Sequence, residues 1–488
     1  MRPSDTEEMD GCRRREMSRR QISKKMERRD DFEKGEPLQI IEVTDKKSGG
    51  DIIHGLELNE ENLKRILLHP FVKDLPVVII SITGAFRKGK SFLLGFFIKY
   101  LEAQESVWLK ENDKIKGFEW RGGTERVTSG ILIWSKPFLC QDKFGKRFAV
   151  LLMDTQGIFD RESTMNDSAR IFALSSLIST VQIYNIMQQL QEDDLKNLKF
   201  FTEFGKLVTE TYSEGDVNTP KLVFLIRDWG FPYEYPYGED GGKNYVTKVL
   251  KETTEQPKEL KDIRRAIKKC FPDVCGFLLP HPGKAVVTKK MFDGQVKEMD
   301  DDFVEYVELL VQYIFSRNML VTKKMNGREL KGEDLMMYMK AFVSYFNEEK
   351  CPSPETALEA MAAVHRQRGI RAALNWYKHE MIKVFPKNKM SVLSDEGFEN
   401  THKILCIQAK ERLRKYPGIQ LLGHLFECET QLEEQISQVY VQLSGLKNTM
   451  KKRKEVIKKN DEGVAMLSGA ALLVGVATVG AFIVKHIK

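Results

Sequence analysis

The sequence predicts an α/β domain with a mainly parallel sheet, followed by a three-helix bundle and a transmembrane helix. Apolar runs such as 77–83 and 221–226 alternate with segments of helical periodicity, which is the pattern of a sheet covered on both faces. After Pro352 and Pro354 only helical patterns follow. The run Gly463–Val484 has no charged residue, and a membrane-spanning helix needs about 20 apolar residues.

These patterns divide the chain into predicted segments. They are a basic tail (1–36), the α/β domain (37–346), a linker (347–354), a three-helix stalk (355–460) and a transmembrane anchor (463–484). In the α/β domain we expect strands at 38–44, 77–83, 131–134, 148–153, 221–226 and 276–280, and helices at 59–68, 91–101, 167–186, 194–212 and 300–315. The tail is expected to be disordered; its charges could bind acidic lipid, although simple solvation also accounts for them.

Composition limits the classes of function. The 488 residues carry a formal net charge of +7, and basic residues cluster near the N-terminus, at 13–25, and again at 447–459. Local patches of this kind do not predict a nucleic-acid-binding protein. The seven cysteines are odd in number and lack zinc-ligand spacing, which indicates free thiols in a reducing compartment. Basic residues at 451–454, just before the apolar run, place the body of the protein on the cytosolic side.

One segment organises the α/β domain. Residues 84–91 read Gly-Ala-Phe-Arg-Lys-Gly-Lys-Ser, the pattern G-x-x-x-x-G-K-S, and they stand between an apolar strand and a helix. In that setting backbone N–H groups surround the phosphates of a nucleotide at a helix N-terminus. Lys90 is expected to reach the β- and γ-phosphates, and Ser91 is expected to ligate Mg²⁺.

A second segment complements this phosphate loop. Asp154-Thr155-Gln156-Gly157 ends an apolar strand, so its carboxylate lies at the carboxyl edge of the predicted sheet. Asp154 is expected to hold Mg²⁺ through water, and the backbone N–H of Gly157 to sense the γ-phosphate. The two segments together predict a nucleotide switch that hydrolyses its triphosphate.

The residue that assists hydrolysis is less closely specified. Ile158 stands where small GTPases often place a water-orienting glutamine, so another group must stabilise the developing charge. Arg87, inside the phosphate loop, could act as an arginine finger in cis. The alternative is that Arg87 and Lys88 are solvent-facing charges on an exposed loop.

A first switch and a base-recognition residue are also expected. Arg121 and Thr128 lie in the glycine-rich segment 117–130, and Thr128 is a candidate second hydroxyl ligand of Mg²⁺, with Ser129 as its rival. The usual guanine motif N/T-K-x-D is missing. Asp228 instead ends a strand and could accept the guanine N1 and N2 protons, a donor pair that adenine lacks; it could also be an ordinary strand-end cap.

Several unusual strings occur in order along the chain: Gly84–Leu93, Trp120–Gly123, Leu151–Gly157, Gln191–Leu195, Arg227–Trp229 and Phe231–Glu234. Together they resemble the atlastins, dynamin-superfamily GTPases that fuse endoplasmic reticulum membranes. The similarity runs from about Leu38 to Asp302 and continues more weakly into the helical part. It implies a Ras-like, dynamin-type GTPase domain.

The resemblance also implies site residues. Arg87 would be catalytic, Arg121 would belong to the first switch, and Ser91, Thr128 and Asp154 would attend Mg²⁺. The nucleotide would be bound by Arg87, Lys88, Gly89, Lys90, Ser91, Phe92, Arg121, Asp154, Gln156, Gly157, Arg227, Asp228, Val286 and Lys289. Among these, Arg227 and Asp228 would read guanine, and residues near Val286 and Lys289 would cover the base.

The predicted function is that of a GTPase anchored in the endoplasmic reticulum membrane, with its GTPase and helical domains facing the cytosol. GTP is its substrate and Mg²⁺ its cofactor. The resemblance implies homodimers in trans, with cis homodimers as a further arrangement, and the lipid bilayer and membrane-shaping proteins as other partners. Atlastins carry two membrane segments and an amphipathic tail, whereas this chain shows one uncharged run. The alternatives are therefore a non-fusogenic GTP-gated tether or scaffold and, disfavoured by the spanning run, a guanylate-binding-protein-like GTPase.

Overall fold

The computed structural model describes residues 34–48, 51–85, 88–103, 107–120, 130–142, 144–157, 165–196, 198, 220–271, 273–289, 292–325, 328–348, 354–384, 394–416, 419 and 424–463. The chain divides into two compact units, and the boundary between them falls between His365 and Arg366. Most of the predicted tail, residues 1–33, lies outside the described residues, as do residues 349–353 of the predicted linker.

Strands and helices alternate through the first unit. The strands are β1 (Pro37–Ser48), β2 (Asp51–Leu58), β3 (Val77–Gly84), β4 (Ile131–Trp134), β5 (Phe138–Gln141), β6 (Arg147–Thr155), β7 (Val181–Met187), β8 (Lys221–Arg227), β9 (Val274–Leu279), β10 (Lys324–Met325) and β11 (Arg328–Glu329). The helices are α1 (Glu60–Leu67), α2 (Lys90–Glu102), α3 (Met165–Ile178), α4 (Glu192–Lys196), α5 (Glu239–Val249), α6 (Lys258–Cys270), α7 (Lys284–Thr288), α8 (Asp301–Ile314), α9 (Gly332–Glu348) and α10 (Pro354–Lys383), with α11 (Asp395–Arg414) and α12 (Leu425–Gly463) in the second unit.

The main sheet is mixed, and the prediction of a mainly parallel sheet was wrong in this respect. Among the described residues its order is β2-β1-β4-β6-β3-β7-β8-β9, with β5 paired to β6. Strands β6, β3, β7, β8 and β9 are parallel to one another, whereas β1, β2, β4 and β5 are joined by antiparallel pairings. The antiparallel part follows from short connections, because consecutive strands such as β1 and β2 are too close in sequence for a crossover.

The parallel strands are buried on both faces. All eight residues of β3 are buried. Alternate residues of β8 enter two different apolar clusters: Val223 and Leu225 pack with helices α2 and α8, and Phe224 and Ile226 pack with the side of α5 and α6. Covering both faces in this way leaves the carboxyl ends of the strands as the open edge, where ligands of such sheets bind.

One predicted helix was wrong over its second half. Helical periodicity predicted a helix over 167–186, but helix α3 ends at Ile178 and strand β7 begins at Val181. In the second half of the segment the polar residues Gln182 and Asn185 stand three positions apart, so the pattern does not separate a buried strand from a helix, and the β-branched residues of Val181–Met187 suit a strand. Of the helix predicted at 194–212, the structure describes residues 194–196, which end helix α4, and residue 198.

The outer edge of the sheet at β2 is covered by a side chain. The backbone N–H of Leu56 donates to Oδ1 of Asn347 at 2.8 Å, and Nδ2 of Asn347 donates to the carbonyl of Leu56 at 2.7 Å. Asn347 belongs to helix α9. Its amide therefore pairs with the edge strand as another strand's peptide group would.

The second unit is helical. The end of α10 packs with α11 and α12 around one apolar cluster, in which Tyr377, Leu405 and Leu432 are buried. Ser394 begins α11 by accepting the backbone N–H of Gly397 at 3.0 Å, which satisfies one of the first donors of the helix. The sequence predicts three helices here, at about 355–384, 396–414 and 421–459, and helices α10, α11 and α12 lie within a few residues of those bounds.

No described helix combines the length and the apolar composition that crossing a bilayer would require. The predicted span 463–484 lies outside the described residues except for Gly463, the last residue of α12.

Candidate nucleotide-binding site

The phosphate loop connects β3 to α2, as the sequence predicts. Gly84 ends β3 with φ +142°, and Gly89 precedes α2 in the left-handed region with φ +70°. Glycine suits both positions because other residues are strained there. The first backbone N–H groups of α2, beginning at Lys90, have no carbonyl partner within the helix and favour an anion. Phe86 and Arg87 lie outside the described residues.

Lys90 lies over the loop. Its Nζ donates to the carbonyl of Ala85 at 3.1 Å, and the residue is buried. Burial lowers the pKa of Lys90 to about 8, although the carboxylate of Asp154 acts in the opposite direction. An anion bound in the loop would favour the charged ammonium further, so the lysine is suited to a phosphate.

Ser91 and Asp154 meet at the carboxyl edge of the sheet. The hydroxyl of Ser91 donates to Oδ2 of Asp154 at 2.5 Å, and Asp154 is fully buried at the end of β6. Mg²⁺ prefers oxygen ligands and is often held by one or two protein groups together with substrate phosphates. A hydroxyl and a carboxylate beside a phosphate loop fit that donor set. Among the described residues there is no cluster of three or more His, Cys, Asp or Glu side chains that could hold a metal without such help.

The next two predicted residues are held differently. The backbone N–H of Gln156 donates to the carbonyl of Gly130 at 2.8 Å, and Oε1 of Gln156 accepts the backbone N–H of Gly130 at 2.8 Å. This reciprocal pair joins the end of β6 to the start of β4. Gly157 follows as a buried residue. Phe92 is also buried, with its ring centroid 4.8 Å from that of Trp120, so its side chain belongs to the apolar core.

Arg227 and Asp228 end strand β8 beside the loop. Nη1 of Arg227 donates to the carbonyl of Lys88 at 2.6 Å, and burial lowers the pKa of the Arg227 guanidinium. Asp228 has φ +53°, an uncommon conformation for a residue other than glycine. Its Oδ1 is buried and accepts no hydrogen bond from the described residues. An acceptor placed in this way suits the N–H donors of a base.

A further residue, Asn185, contacts the loop and was missed in the sequence. Its Nδ2 donates to the carbonyl of Lys88 at 3.0 Å. Asn185 lies in β7, in register with Gly84 of β3. The periodicity of this segment predicts a helix, which hides the role of Asn185. With the segment placed in a buried strand, a polar residue near its carboxyl end is the signal that indicates a site residue.

The remaining predicted residues are not brought together by the described contacts. Val286 lies in α7 and packs at the margin of an apolar cluster, and Lys289 follows α7 and pairs with Glu298 at 2.7 Å. Arg121 and Thr128 lie outside the described residues, as does Ser129, the alternative to Thr128.

Comparison with known proteins identifies the family. A family model described as "Guanylate-binding protein, N-terminal domain" matches residues 53–324. Atlastin-1 of Macaca fascicularis is 40% identical over 423 residues, which cover 85% of this chain and 73% of the relative. Atlastin-3 of Homo sapiens is 39% identical over 412 residues, covering 83% and 74%. The chain belongs to the atlastin family.

Atlastin-2 of Xenopus laevis supports the same assignment, with 39% identity over 413 residues that cover 84% of this chain and 70% of the relative. As a member of the atlastin family the chain is a dynamin-superfamily GTPase, and the family consists of endoplasmic reticulum membrane proteins involved in membrane fusion. The resemblance found in the sequence is confirmed, and so is GTP hydrolysis. The similarity to guanylate-binding proteins covers residues 53–324, which is the GTPase part of the chain.

Proposed function

We propose that GTP hydrolysis at the phosphate loop drives homotypic tethering and fusion of endoplasmic reticulum membranes. Two heads on opposing membranes would dimerise when loaded with GTP, and hydrolysis would then draw the membranes together. The GTPase and helical parts would face the cytosol, with the apolar run 463–484 as the anchor. The contact between Ser91 and Asp154 at the end of the phosphate loop carries the nucleotide part of the proposal, because it puts a hydroxyl and a carboxylate where a phosphate-bound cation is needed. Membership of the atlastin family supports the membrane part.

Each residue of the site has a proposed task. The loop N–H groups and Lys90 hold the β- and γ-phosphates, and Ser91 and Asp154, with Thr128, hold Mg²⁺. When bound, Mg²⁺ would neutralise charge developing on the phosphate oxygens. Asp228 accepts the N1 and N2 protons of guanine, and the buried, unpaired Oδ1 supports this assignment.

Arg87 is the proposed catalytic residue. It lies within the loop G-x-x-x-x-G-K-S, so it needs no second protein to reach the phosphates. Arg87→Ala is expected to retain GTP binding and to lose turnover, by about 10³-fold or more if it acts as an arginine finger. Arg87→Lys, which keeps the charge but not the planar fork, should recover only part of the rate. Unchanged turnover in Arg87→Ala would mean that Arg87 is a solvent-facing charge and not the catalytic residue.

The base assignment has a separate test. Asp228→Asn replaces one acceptor by an amide donor, which matches the carbonyl at C2 of xanthine better than the amine of guanine. The variant is expected to lose affinity for GTP and to gain affinity for XTP. If binding constants show the same preference for GTP over ATP and XTP as the unsubstituted protein, Asp228 does not read the base.

Fusion is tested with the full chain in vesicles. With GTP and Mg²⁺ we expect clustering of the vesicles followed by lipid mixing, and Lys90→Ala should abolish both. GTP-dependent clustering without lipid mixing would contradict fusion and support a tether.

A further inference from the structure

The carbonyl of Lys88, inside the phosphate loop, receives two side-chain donors from the sheet. Nη1 of Arg227 lies 2.6 Å from this oxygen and Nδ2 of Asn185 lies 3.0 Å from it. The donors come from two neighbouring parallel strands, β8 and β7, which pair in register at Met187 and Arg227. Two fixed strands therefore hold one peptide group of the loop.

Both donors are deeply buried. Arg227 is 6% exposed and Asn185 is 1% exposed. Nε of Arg227 is buried with no hydrogen-bond partner among the described residues. Removing a guanidinium from water is costly unless it is well paired. A favourable interaction must therefore offset the cost of burying Arg227 beside the loop carbonyl.

The two glycines of the loop motif make room for these strands. A Cβ on Gly89 would overlap Nη1 of Arg227, and a Cβ on Gly84 would overlap the backbone carbonyl of Asn185. The spacing of the motif thus matches the approach of Arg227 and Asn185. The guanidinium occupies the space beside Gly89, on the loop itself.

Holding the Lys88 carbonyl also orients a donor. The C=O of Lys88 and the N–H of Gly89 belong to one peptide plane, and in a trans peptide they point in opposite directions. Because the carbonyl accepts from side chains of β7 and β8, the N–H of Gly89 is directed away from those two donors. A fixed N–H at that position favours a phosphate oxygen.

We propose that Asn185 and Arg227 are positioning residues that clamp the Lys88 carbonyl and so preorganise the loop for the diphosphate of the nucleotide. This rests on the proposed nucleotide site. Arg227 then contributes to affinity for the phosphates through the Lys88 carbonyl, in addition to the contact with guanine that the family resemblance implies for it. Asp228, one residue further on, is the proposed acceptor of the guanine protons.

The test measures dissociation constants of three diphosphates that share their phosphates and differ at the base: GDP, IDP, which lacks the C2 amine, and 2-aminopurine riboside diphosphate, which lacks O6 and the N1 proton. Asn185→Leu and Arg227→Met remove one donor each. Each variant is expected to weaken all three diphosphates by about tenfold or more, the size expected for one lost hydrogen bond to a buried carbonyl, and in Asn185→Leu the ratios of the three constants should not change. The double variant should lose less than the product, because both donors serve one acceptor.

Thr180→Val is the matched control. The hydroxyl of Thr180 accepts the backbone N–H of Ile79 at 3.1 Å, so this change also removes a buried hydrogen bond between β3 and β7, but at the opposite end of the strands from the loop. It should leave all three dissociation constants within about twofold, since it lies away from the loop. An equal loss in Thr180→Val would overturn the clamp in favour of general damage to the sheet.

The remaining outcomes separate the clamp from the site. A loss in Arg227→Met that falls on GDP and IDP but spares 2-aminopurine riboside diphosphate would make Arg227 a base reader alone and overturn the proposal. Normal binding in Asn185→Leu, with binding lost in Lys90→Ala, would overturn the clamp alone. Normal binding in Lys90→Ala would overturn the nucleotide site itself. If Arg227→Met does not fold, Arg227→Lys, which keeps one donor, is compared with Asn185→Leu in its place.

Discussion

Lys323 is a buried cation whose removal should stabilise the protein at low pH. Its Nζ donates to the carbonyl of Ser179 at 2.6 Å, and the residue is 2% exposed. Burial lowers the pKa of Lys323 from 10.5 to about 7. The folded state therefore releases the proton at a lower pH than the unfolded chain does. Lys323→Met, of similar length and without charge, tests the cost of this burial.

The magnitude follows from the difference in pKa. Between pH 7 and 10.5 the unfolded state binds more protons, so the free energy of unfolding rises with pH in this window. At about 1.36 kcal/mol per pKa unit, the cost of burying Lys323 reaches roughly 5 kcal/mol below pH 7 and vanishes above pH 10.5. Losing the hydrogen bond leaves the Ser179 carbonyl unpaired, at about 1–3 kcal/mol. Lys323→Met should thus stabilise by about 2–4 kcal/mol at pH 6 and by little or nothing at pH 9.5.

The measurement is urea unfolding at pH 6, 8 and 9.5, followed through tryptophan fluorescence. Trp108, Trp134 and Trp229 are buried in the first unit and report on it. Lys324→Met is the control, because Lys324 is the exposed neighbour of Lys323 and its replacement removes the same formal charge. A stabilisation by Lys323→Met that does not change with pH, or that Lys324→Met reproduces, would refute the reasoning.

Three further predictions concern stability. Glu192→Gln should lower the free energy of unfolding by about 2–3 kcal/mol in urea titrations, because it leaves the buried guanidinium of Arg264 without its bidentate carboxylate; the double change Glu192→Leu with Arg264→Met should recover most of the loss. Gly84→Ala should cost at least about 2 kcal/mol in thermal unfolding and also weaken GTP binding, since φ is +142° and its Cβ would overlap a carbonyl of β7; unaltered melting would contradict this. Tyr377→Phe should cost about 1 kcal/mol, by loss of the 2.8 Å hydrogen bond to Nδ1 of His402, and a double-mutant cycle with His402→Ala should show coupling between the two.

Much of the site could be predicted because it is local in sequence. The strand, the loop and the helix of residues 77–102 are continuous, so one motif fixes the relative positions of Lys90 and Ser91. Asp154 was also found from sequence, because an acid that ends an apolar strand lies at the carboxyl edge of the sheet. The contact between Ser91 and Asp154 then follows from the pairing of β3 with β6.

Residues that act through other strands were harder to predict. Asn185 contacts the loop from β7, and its spacing of three positions from Gln182 fits a helix as well as a buried strand. Gln156 was assigned to the nucleotide from the resemblance, whereas its side chain bonds the backbone of Gly130, 26 positions earlier in the chain. Contacts of this kind depend on strand order, which the pattern of single segments does not contain.

The amide of Asn347 has a consequence for assembly. An edge strand presents a row of N–H and C=O groups to which any other extended chain can add, and this is a common start of aggregation. Asn347 occupies both backbone groups of Leu56, near the end of β2. Its side chain thus interrupts the row of free backbone N–H and C=O groups at this residue. Another strand could add to the sheet at Leu56 only by displacing this amide.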